Sequence, residues 1–524
     1  MQLARIGSIL LLVLSAPTLA PTGSLADSRP RPRPERTNPV DPTQRIDVNT
    51  ISMVVKNTGS FAYDTQNGAA GLEFPKGSGH TVVFAAGLWL AAVVNGSVRV
   101  SVAEYTDDFK PGAAPGGVPE NSANPALKVY KLNRLYSNGT GGIDSAARDA
   151  ALADYLAGAV PRGAPPVIVL ADGSLSITGD QMLWSVYNDF LKGPAHNGAS
   201  SRLPLGVEVQ QTAWAYDHSV PLDNVVFMKF RIINRGLLML SDMYAAAWSD
   251  PDLGGFADDL VGCVSTQGLG YCYNATNADD QYGSTPPALG FDMLQGPFSL
   301  ALGTRLAPSA FIGEVNGDGP ADSLETFHQL EGLDKNGAPI LDPLSNPTKY
   351  MFTGDPVTGV GWLDSSPSDR RMVLSAGPFT MGPTHVQEIV LAIIVARGAD
   401  RLSSIVQLRN LDELVQTAFD TGTLDILPVP RAHASPLSFA PPWPNPARGP
   451  ISLAMSLAEE GEVSLAVVDI TGRRVLQRSL GQLAPGPHIV ALDPLRDRLA
   501  AGLYFVQLTQ GGATVSRRLA LLRP

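Results

Sequence analysis

Short runs of alternating apolar and polar residues dominate the chain. In NVVFMKFRIINRG (224–236), apolar residues at every second position alternate with two basic residues, a period of two that predicts a half-buried strand. Asn95-Gly96 separates two such runs and predicts a hairpin. Residues 389–395 are almost wholly apolar, which predicts a central strand buried on both faces. The pattern as a whole predicts a mainly β fold, a multi-domain β-sandwich with a few short helices.

Two segments show the spacing of a helix instead. Residues 142–160, GIDSAARDAALADYLAGAV, are rich in Ala and Leu, and Ser145 is placed to cap the first turn. In residues 401–422 the apolar side chains recur at helical spacing, which predicts an amphipathic helix that covers the end of the β-domain. Residues 179–190 are compatible with either a helix or a strand, because two aromatic residues stand three positions apart.

Changes in composition divide the chain into five segments. The first has one basic residue, a short apolar run and then small residues, the pattern of a secretory signal peptide cleaved after Ala26. This run is too short to cross a bilayer, and no later segment approaches the roughly 20 apolar residues that a membrane helix needs. We therefore expect an exported protein without a transmembrane helix. The predicted segments are a signal peptide (1–26), a Pro/Arg-rich linker (27–44), a large β-rich domain of one or two subdomains (45–430) with an irregular insert near 107–200, a Pro-rich linker (431–450) and a C-terminal domain (451–524).

Composition supports a turn-rich β protein. The 52 Gly and 43 Pro residues favour many short strands joined by turns over long helices. The net charge of −11 argues against a nucleic-acid partner, because such a partner requires a basic surface that neutralises phosphates. The acidity fits either a solvated surface or sites for cations.

Two cysteines, Cys263 and Cys272, lie in GCVSTQGLGYCYN, which predicts two short strands around a Gly-rich turn. An oxidising compartment permits a disulfide between them, closing a loop of about ten residues. The alternative is a pair of buried thiols that pack as small apolar residues. The sequence leaves both open.

Acidic loops that contain Gly are the strongest candidates for metal binding. The stretch AWSDPDLGGFADDLVGC (247–263) contains Asp250, Asp252, Asp258 and Asp259. Calcium takes six to eight oxygen ligands in a tolerant geometry, and such a loop can supply several of them. Without a cation the carboxylates would repel one another. The alternative is a surface loop in which Asp and Gly form Asx-turns.

A second loop, GEVNGDGPADSLE (313–325), also presents spaced oxygen ligands. Its candidates are Asn316, Asp318 and Asp322, and neither loop has the full EF-hand pattern. A third acidic piece, around Asp279 and Asp280, is interpreted as a turn. Calcium is accordingly the predicted cofactor.

Motifs for catalysis are missing from the sequence. It has no Gly-x-Ser-x-Gly elbow, His-Glu-x-x-His motif, P-loop or dinucleotide-binding glycine motif. The seven histidines are scattered, and His218 beside Asp217 comes nearest to a base with its orienting group. Glu208 and Glu388 are the only carboxylates that we would test as a glycosidase pair. Five tryptophans of the central region could stack on sugars or form the core: Trp89, Trp184, Trp214, Trp248 and Trp362.

The C-terminal domain resembles a known module. Its landmarks are Pro444-Asn445-Pro446, a turn at 467–473, the segment 501–504 and a basic, apolar last strand. In this order they closely resemble the Ig-like module shared by the flagellar hook-capping protein family and the type A C-terminal sorting domains of type IX secretion cargo. The resemblance covers about 80 residues. It implies a small Ig-like β-sandwich, contact with the secretion machinery of the outer membrane, and often attachment at the cell surface.

This sequence departs from the sorting-domain pattern at its end. Arg517, Arg518 and Arg523 stand where sorting domains often have Lys, and the last residue is Pro524. The alternative is a generic Ig-like appendage of a secreted protein. Segments of the central region, such as 225–236, resemble large uncharacterised secreted bacterial β-proteins that carry such C-terminal domains. That resemblance implies the same organisation and supplies no activity.

The sequence therefore predicts an exported, non-enzymatic cell-surface or extracellular β-sandwich protein with a structural, adhesive or glycan-binding role. Its partners would be the secretion machinery, through the C-terminal domain, and a glycan or surface polymer. A nucleic-acid partner is not expected. The alternative is a secreted hydrolase that acts on polysaccharide or peptide.

Overall fold

The structure is a computed structural model. It describes residues 43–140, 142–159, 162–192, 197–217, 222–424, 437–439, 442–457, 461–484, 486–511 and 513–523. The predicted signal peptide, nearly all of the first predicted linker and His218 lie outside these residues.

Short strands make up most of the regular structure in residues 43–424. The strands up to residue 188 are β1 Thr43–Ile46, β2 Ser52–Lys56, β3 Ser60–Phe61, β4 Tyr63–Asp64, β5 Ala69–Ala70, β6 Leu72–Glu73, β7 Thr81–Val83, β8 Ala85–Val94, β9 Ser97–Val102, β10 Lys110–Pro111, β11 Tyr130–Asn133, β12 Ile168–Val169, β13 Leu175–Ser176 and β14 Gln181–Asn188. The following strands are β15 Val207–Ala215, β16 Val225–Asn234, β17 Leu240–Asp250, β18 Asp259–Val264, β19 Leu269–Asn274, β20 Ala288–Gln295, β21 Phe298–Ser299, β22 Thr304–Arg305, β23 Ala310–Val315, β24 Ile340–Leu341, β25 Pro347–Thr348, β26 Arg370–Met381 and β27 Val386–Ala396. The α-helices are α1 Ser145–Gly158, α2 Ser323–Leu330 and α3 Arg401–Asp420.

Two large antiparallel sheets pack face to face. The first sheet has ten strands in the order β23-β26-β17-β8-β3-β2-β6-β7, with β1 beside β2 and β9 beside β8. The second sheet has nine strands in the order β10-β14-β15-β16-β27-β20-β19-β18, with β11 beside β14. Leu88 and Leu374 of the first sheet share one buried core with Phe230 and Ile393 of the second. The predicted β-sandwich is confirmed.

The strongest local signals in the sequence form the predicted elements. Asn95 and Gly96 join β8 to β9 with φ angles of 50° and 77°, the left-handed conformations that the tightest hairpin turns require. Strand β27 lies between β16 and β20 and is buried on both faces, because α3 covers the outer face of the second sheet. The helix predicted at 401–422 is present, but it covers this sheet face and not the end of the domain.

The segment 107–200 contributes to the second sheet. Its strand β14 settles the ambiguity at 179–190: Trp184 and Tyr187 belong to different cores, since residues three apart point to opposite faces of a strand. Helix α1 is present where the sequence predicts it. Its N-cap is Asp144, which accepts a hydrogen bond from the Ala147 amide at 3.0 Å, and not Ser145. Asp144 precedes the first helical residue, so its side chain can accept hydrogen bonds from the free amides of the first turn.

The C-terminal residues form a small sandwich with its own core. One sheet has the order β28-β29-β32 and the other β31-β30-β33-β34, as in an Ig-like domain. The predicted Pro-rich linker contributes strand β28 to it, so the β structure begins before residue 451. The strands are β28 Leu437–Phe439, β29 Ile451–Leu457, β30 Gly461–Asp469, β31 Arg474–Leu483, β32 Gly486–Leu492, β33 Gly502–Gln510 and β34 Ala513–Leu521.

Candidate metal centre

Three aspartates meet at one end of the first sheet. Asp250 is the last residue of β17, Asp252 follows it after one proline, and Asp369 immediately precedes β26. Strands β17 and β26 are antiparallel neighbours, with Ser249 opposite Met372, so the end of one strand lies beside the start of the other. A carboxylate oxygen from each aspartate lies within 4.8 Å of the other two. The arrangement could hold a hard cation.

A tyrosine and an arginine already contact this cluster. Asp250 is 2% exposed, and its Oδ2 accepts a hydrogen bond from the Tyr105 hydroxyl at 2.5 Å. The Arg371 guanidinium lies 2.7 Å from Asp250 Oδ1 and also pairs with Asp369. Among the residues that the structure describes, Arg371 alone forms ion pairs within the cluster, and its partners are Asp250 and Asp369. One positive charge therefore faces three carboxylates.

Burial and neighbouring charges raise the pKa of two carboxyl groups in the cluster. Burial raises the pKa of Asp250 to about 8, with the charges of Asp252 and Asp369 adding to the effect and Arg371 opposing it. Burial also raises the pKa of Asp252 to about 6, helped by Asp369. The single positive charge of Arg371 is thus too little to keep Asp250 ionised at neutral pH. A divalent cation would supply the missing charge.

The second predicted loop reaches the same cluster through one residue. Strand β23 pairs with β26 so that Val315 lies opposite Arg370, which places Asn316 next to Asp369. The Asn316 side-chain amide donates to Asp369 Oδ2 at 2.8 Å. Asp322 instead caps α2, where it accepts from the Leu324 and Glu325 amides at 2.8 and 3.0 Å. Asp318 is exposed on the turn before it.

Asp258 and Asp259, at the start of β18, are not members of the group of three, although the charge of Asp252 acts on Asp259. Asp258 Oδ1 accepts from the Asn274 side-chain amide at 3.1 Å. Asp259 is fully buried, accepts from the Leu253 amide at 3.3 Å and contacts the Cys272 thiol, and burial raises its pKa well above the usual range. The predicted group of four is therefore divided, because β17 belongs to the first sheet and β18 to the second.

Asp279, interpreted from the sequence as a turn residue, accepts hydrogen bonds that fix the loop between β17 and β18. Its carboxylate accepts from the Gly255 amide at 2.9 Å and from the Tyr282 amide at 2.6 Å. It also accepts from the Asn274 side-chain amide at 3.1 Å. These are the contacts of an ordered loop, and they show how the chain between β17 and β18 is fixed.

The two cysteines are free thiols. In the hairpin β18–β19, Cys263 lies opposite Gly270 and Cys272 opposite Val261, so the two are diagonal neighbours and not a directly facing pair. The Cys263 thiol donates to the Met351 carbonyl at 3.3 Å, and Cys272 contacts Asp259. Of the two alternatives that the sequence leaves open, the structure has the pair of buried thiols.

The carboxylates considered for glycoside hydrolysis are each held by a separate arginine. Glu208 of β15 pairs with Arg235 at 3.0 Å, and Glu388 of β27 lies 3.6 Å from Arg231. Strand β16 runs between them. The geometry does not bring the two carboxylates together across a cleft.

Most of the central tryptophans are buried. Trp89, Trp184, Trp214 and Trp248 are between 1% and 5% exposed, so they belong to the core. The accessible aromatic side chains near the aspartates are Tyr63, Phe84 and Tyr105, whose ring centroids are 5.6 to 6.0 Å apart. Sequence reasoning missed this group, because the three residues are far apart along the chain.

The landmarks of the C-terminal domain have clear structural roles. The Asn445 side chain donates to the Arg518 carbonyl and accepts from the Ala520 amide, both at 2.8 Å. It therefore makes the same pair of hydrogen bonds with β34 that the backbone of a neighbouring strand would make. Asp469 accepts from Thr471 and Arg473 and thereby closes the turn at 467–473. The Tyr504 hydroxyl donates to the Ala500 carbonyl at 2.8 Å.

Comparisons with known proteins give one informative match. No curated protein matches this sequence. Among solved structures, a polysaccharide lyase is similar at 10% identity over 65% of this chain and 39% of its own length, with a TM-score of 0.20. A similarity at that level supports no statement about fold or activity. Within the described residues, no helix combines the length and apolar character needed to cross a membrane.

The informative match is to a protein family. Residues 442–521 match the family described as "Secretion system C-terminal sorting domain". These are the residues that form the small sandwich and contain Asn445, Asp469 and Tyr504. The chain therefore carries a type IX secretion C-terminal sorting domain and is a secreted or cell-surface protein.

Proposed function

We propose that the large sandwich is a non-enzymatic extracellular scaffold whose first sheet is stabilised at one end by calcium, and that it binds surface glycans. The observation that carries the proposal is the convergence of Asp250, Asp252 and Asp369 on one point, with Arg371 as their counter-charge. The sorting domain supports the extracellular location, where a rigid sheet protein can serve a structural or adhesive role.

Calcium suits this cluster better than magnesium. Three carboxylates can supply up to about six oxygens, and calcium accepts six to eight in a flexible geometry, whereas magnesium demands near-ideal octahedral coordination. Asn316 holds Asp369 in place from the neighbouring strand. Asp258, Asp259, Asp318 and Asp322 lie outside the cluster of three, so we assign calcium to Asp250, Asp252 and Asp369.

The aromatic residues beside the cluster support a glycan as the partner. Tyr63, Phe84 and Tyr105 are all partly accessible, and the Tyr105 hydroxyl is bonded to Asp250. Aromatic rings offer apolar faces to sugar rings, while a carboxylate-bound cation can accept sugar hydroxyls as ligands. Ordering of Asp250 by calcium would also order Tyr105.

Thermal unfolding of the full chain in calcium and in chelator tests the cation. We expect calcium to raise the unfolding midpoint of the natural protein, because a ligand that binds the folded state stabilises it. Asp252→Asn should reduce this response. The matched control is Asp318→Asn, an exposed acidic residue of the second loop, which should retain it. An unchanged midpoint upon chelation in the natural protein would overturn the calcium assignment.

A glycan-array comparison tests the partner. The natural chain should retain bound polysaccharide in calcium, and Tyr105→Ala should lose it. Leu203→Ala, a substitution of an exposed apolar residue, serves as the control. Equal retention by the natural chain and Tyr105→Ala would contradict the glycan proposal without affecting the calcium assignment.

A further inference from the structure

Two carboxyl groups face each other inside the otherwise apolar contact between α3 and the second sheet. Asp412 lies on the buried face of α3, in the same stripe as Leu408 and Val415. Asp292 lies in β20, where its strand neighbours are Leu269 and Ala392. Asp292 is 0% exposed and Asp412 is 1% exposed. Carboxyl groups are rarely placed in such an environment unless they are paired or bind a metal.

Neither carboxyl group has a counter-charge that compensates for its burial. All four carboxyl oxygens are buried, and among the described residues the two groups contact each other while the Met293 amide lies near Asp292. No ion pair within the described ranges reaches either residue, and the charges that act on the two are those of Glu413 and Asp420, both negative. A buried pair with only negative neighbours is strongly unfavourable unless protons or a cation neutralise it.

The pair borders a cavity from which a cation could enter. A cavity of about 560 Å³ is lined by Asp412, Glu413 and Asp420 together with Gly268. The Asp292 carboxylate points toward the same wall, since a Cβ atom on Gly268 would lie 3.2 Å from Asp292 Oδ1. The cavity is large enough for the water molecules that would complete a coordination shell.

We propose that Asp292 and Asp412 bind a divalent cation of the oxygen-preferring class, Ca²⁺, Mn²⁺ or Mg²⁺, which joins α3 to the second sheet. The two carboxylates supply up to four oxygens, and water from the cavity supplies the rest. This site lies on the second sheet and shares no residue with the cluster of Asp250, Asp252 and Asp369, which lies on the first sheet.

Calorimetric titration with CaCl₂ and, separately, MnCl₂ and MgCl₂ tests the proposal on the full chain. The parent protein carries Asp252→Asn, which weakens the cluster of Asp250, Asp252 and Asp369. We expect the parent to bind one of these cations and Asp412→Asn in the same background to lose that binding. The matched control is Glu413→Gln, at the rim of the same cavity, where Glu413 accepts from Gln267 at 2.6 Å. It should retain the site.

Thermal unfolding separates loss of the site from loss of the fold. In chelator, Asp412→Asn should unfold near the temperature of the parent, because the substitution replaces a carboxyl group by an amide of nearly the same size. In the cation, the parent should gain stability and Asp412→Asn should not. Asp292→Asn provides a second variant with the same expectation. Retained binding in both variants, or no binding of any of the three cations by the parent, would overturn the proposal and leave a pair that only shares protons.

Discussion

Calcium binding at Asp250 and Asp252 should release protons, and the number follows from their pKa values. Burial and mutual repulsion raise the pKa of Asp250 to about 8 and that of Asp252 to about 6. At pH 7 the first carboxyl is then about 90% protonated and the second about 10%. Because calcium requires both in the ionised form, binding at pH 7 should release about one proton per calcium.

The same values fix the pH dependence of affinity. The logarithm of the binding constant rises with pH by the number of protons released, so calcium affinity should increase about tenfold per pH unit near pH 7. At pH 9 only about 0.1 proton remains to be displaced, and the affinity should become nearly constant. A plateau above pH 8 therefore marks the titration of Asp250.

Calorimetry at pH 7 in buffers of different ionisation enthalpy measures the proton count directly. The variant Asp412→Asn is the suitable background, since it removes the second proposed cation site. Asp250→Asn in that background should lose most of the calcium affinity together with the proton release, because it removes both an assigned ligand and the titrating carboxyl group. Saturable calcium binding with no dependence of the observed heat on the buffer would refute the assignment of a protonated Asp250.

Three further outcomes follow from the same structure. In calcium-free solution the raised pKa of Asp250 favours the protonated folded state. The free energy of unfolding should therefore fall by roughly 5 kcal/mol as pH rises from about 4 to above 8. In urea unfolding, Asp250→Asn should show a smaller decrease than the natural protein. Leu408→Ala, at a 0% exposed position under α3, should cost about 2–5 kcal/mol, whereas Val406→Ala, at a 41% exposed position, should change the free energy of unfolding by less than about 0.5 kcal/mol. Asn445→Ala should weaken the C-terminal sandwich by about 1–3 kcal/mol and speed hydrogen exchange of the Ala520 amide that it now protects.

The sequence predicts the elements of the fold better than their arrangement. Strand β27 and the hairpin at Asn95-Gly96 depend on patterns within a few residues, and both are present. The position of β17 between β8 and β26 depends on pairing with strands more than one hundred residues away in each direction. Such pairing is decided by the whole core, and a single sequence carries no local signal for it.

The candidate metal site illustrates the same limit. The sequence identifies Asp250 and Asp252 as ligands, yet it groups them with Asp258 and Asp259, which lie only a few positions later. The loop between these pairs crosses from the first sheet to the second, so neighbours in sequence separate in space. Asp369 completes the cluster because β26 runs beside β17, and that contact is visible only once the sheet is formed.

The two acidic groups differ in how much of their charge the protein itself neutralises, and this difference ranks their dependence on cations. At Asp250 the Arg371 guanidinium and the Tyr105 hydroxyl already oppose the negative charge. At Asp292 and Asp412 no such group is present among the described residues, and the oxygens are almost fully buried. A cation bound there supplies contacts that no charged group of the described protein supplies, so more of the local stability depends on it. Chelation should therefore loosen α3 more than the end of the first sheet, and hydrogen exchange of residues 401–420 should respond more strongly than that of residues 240–250.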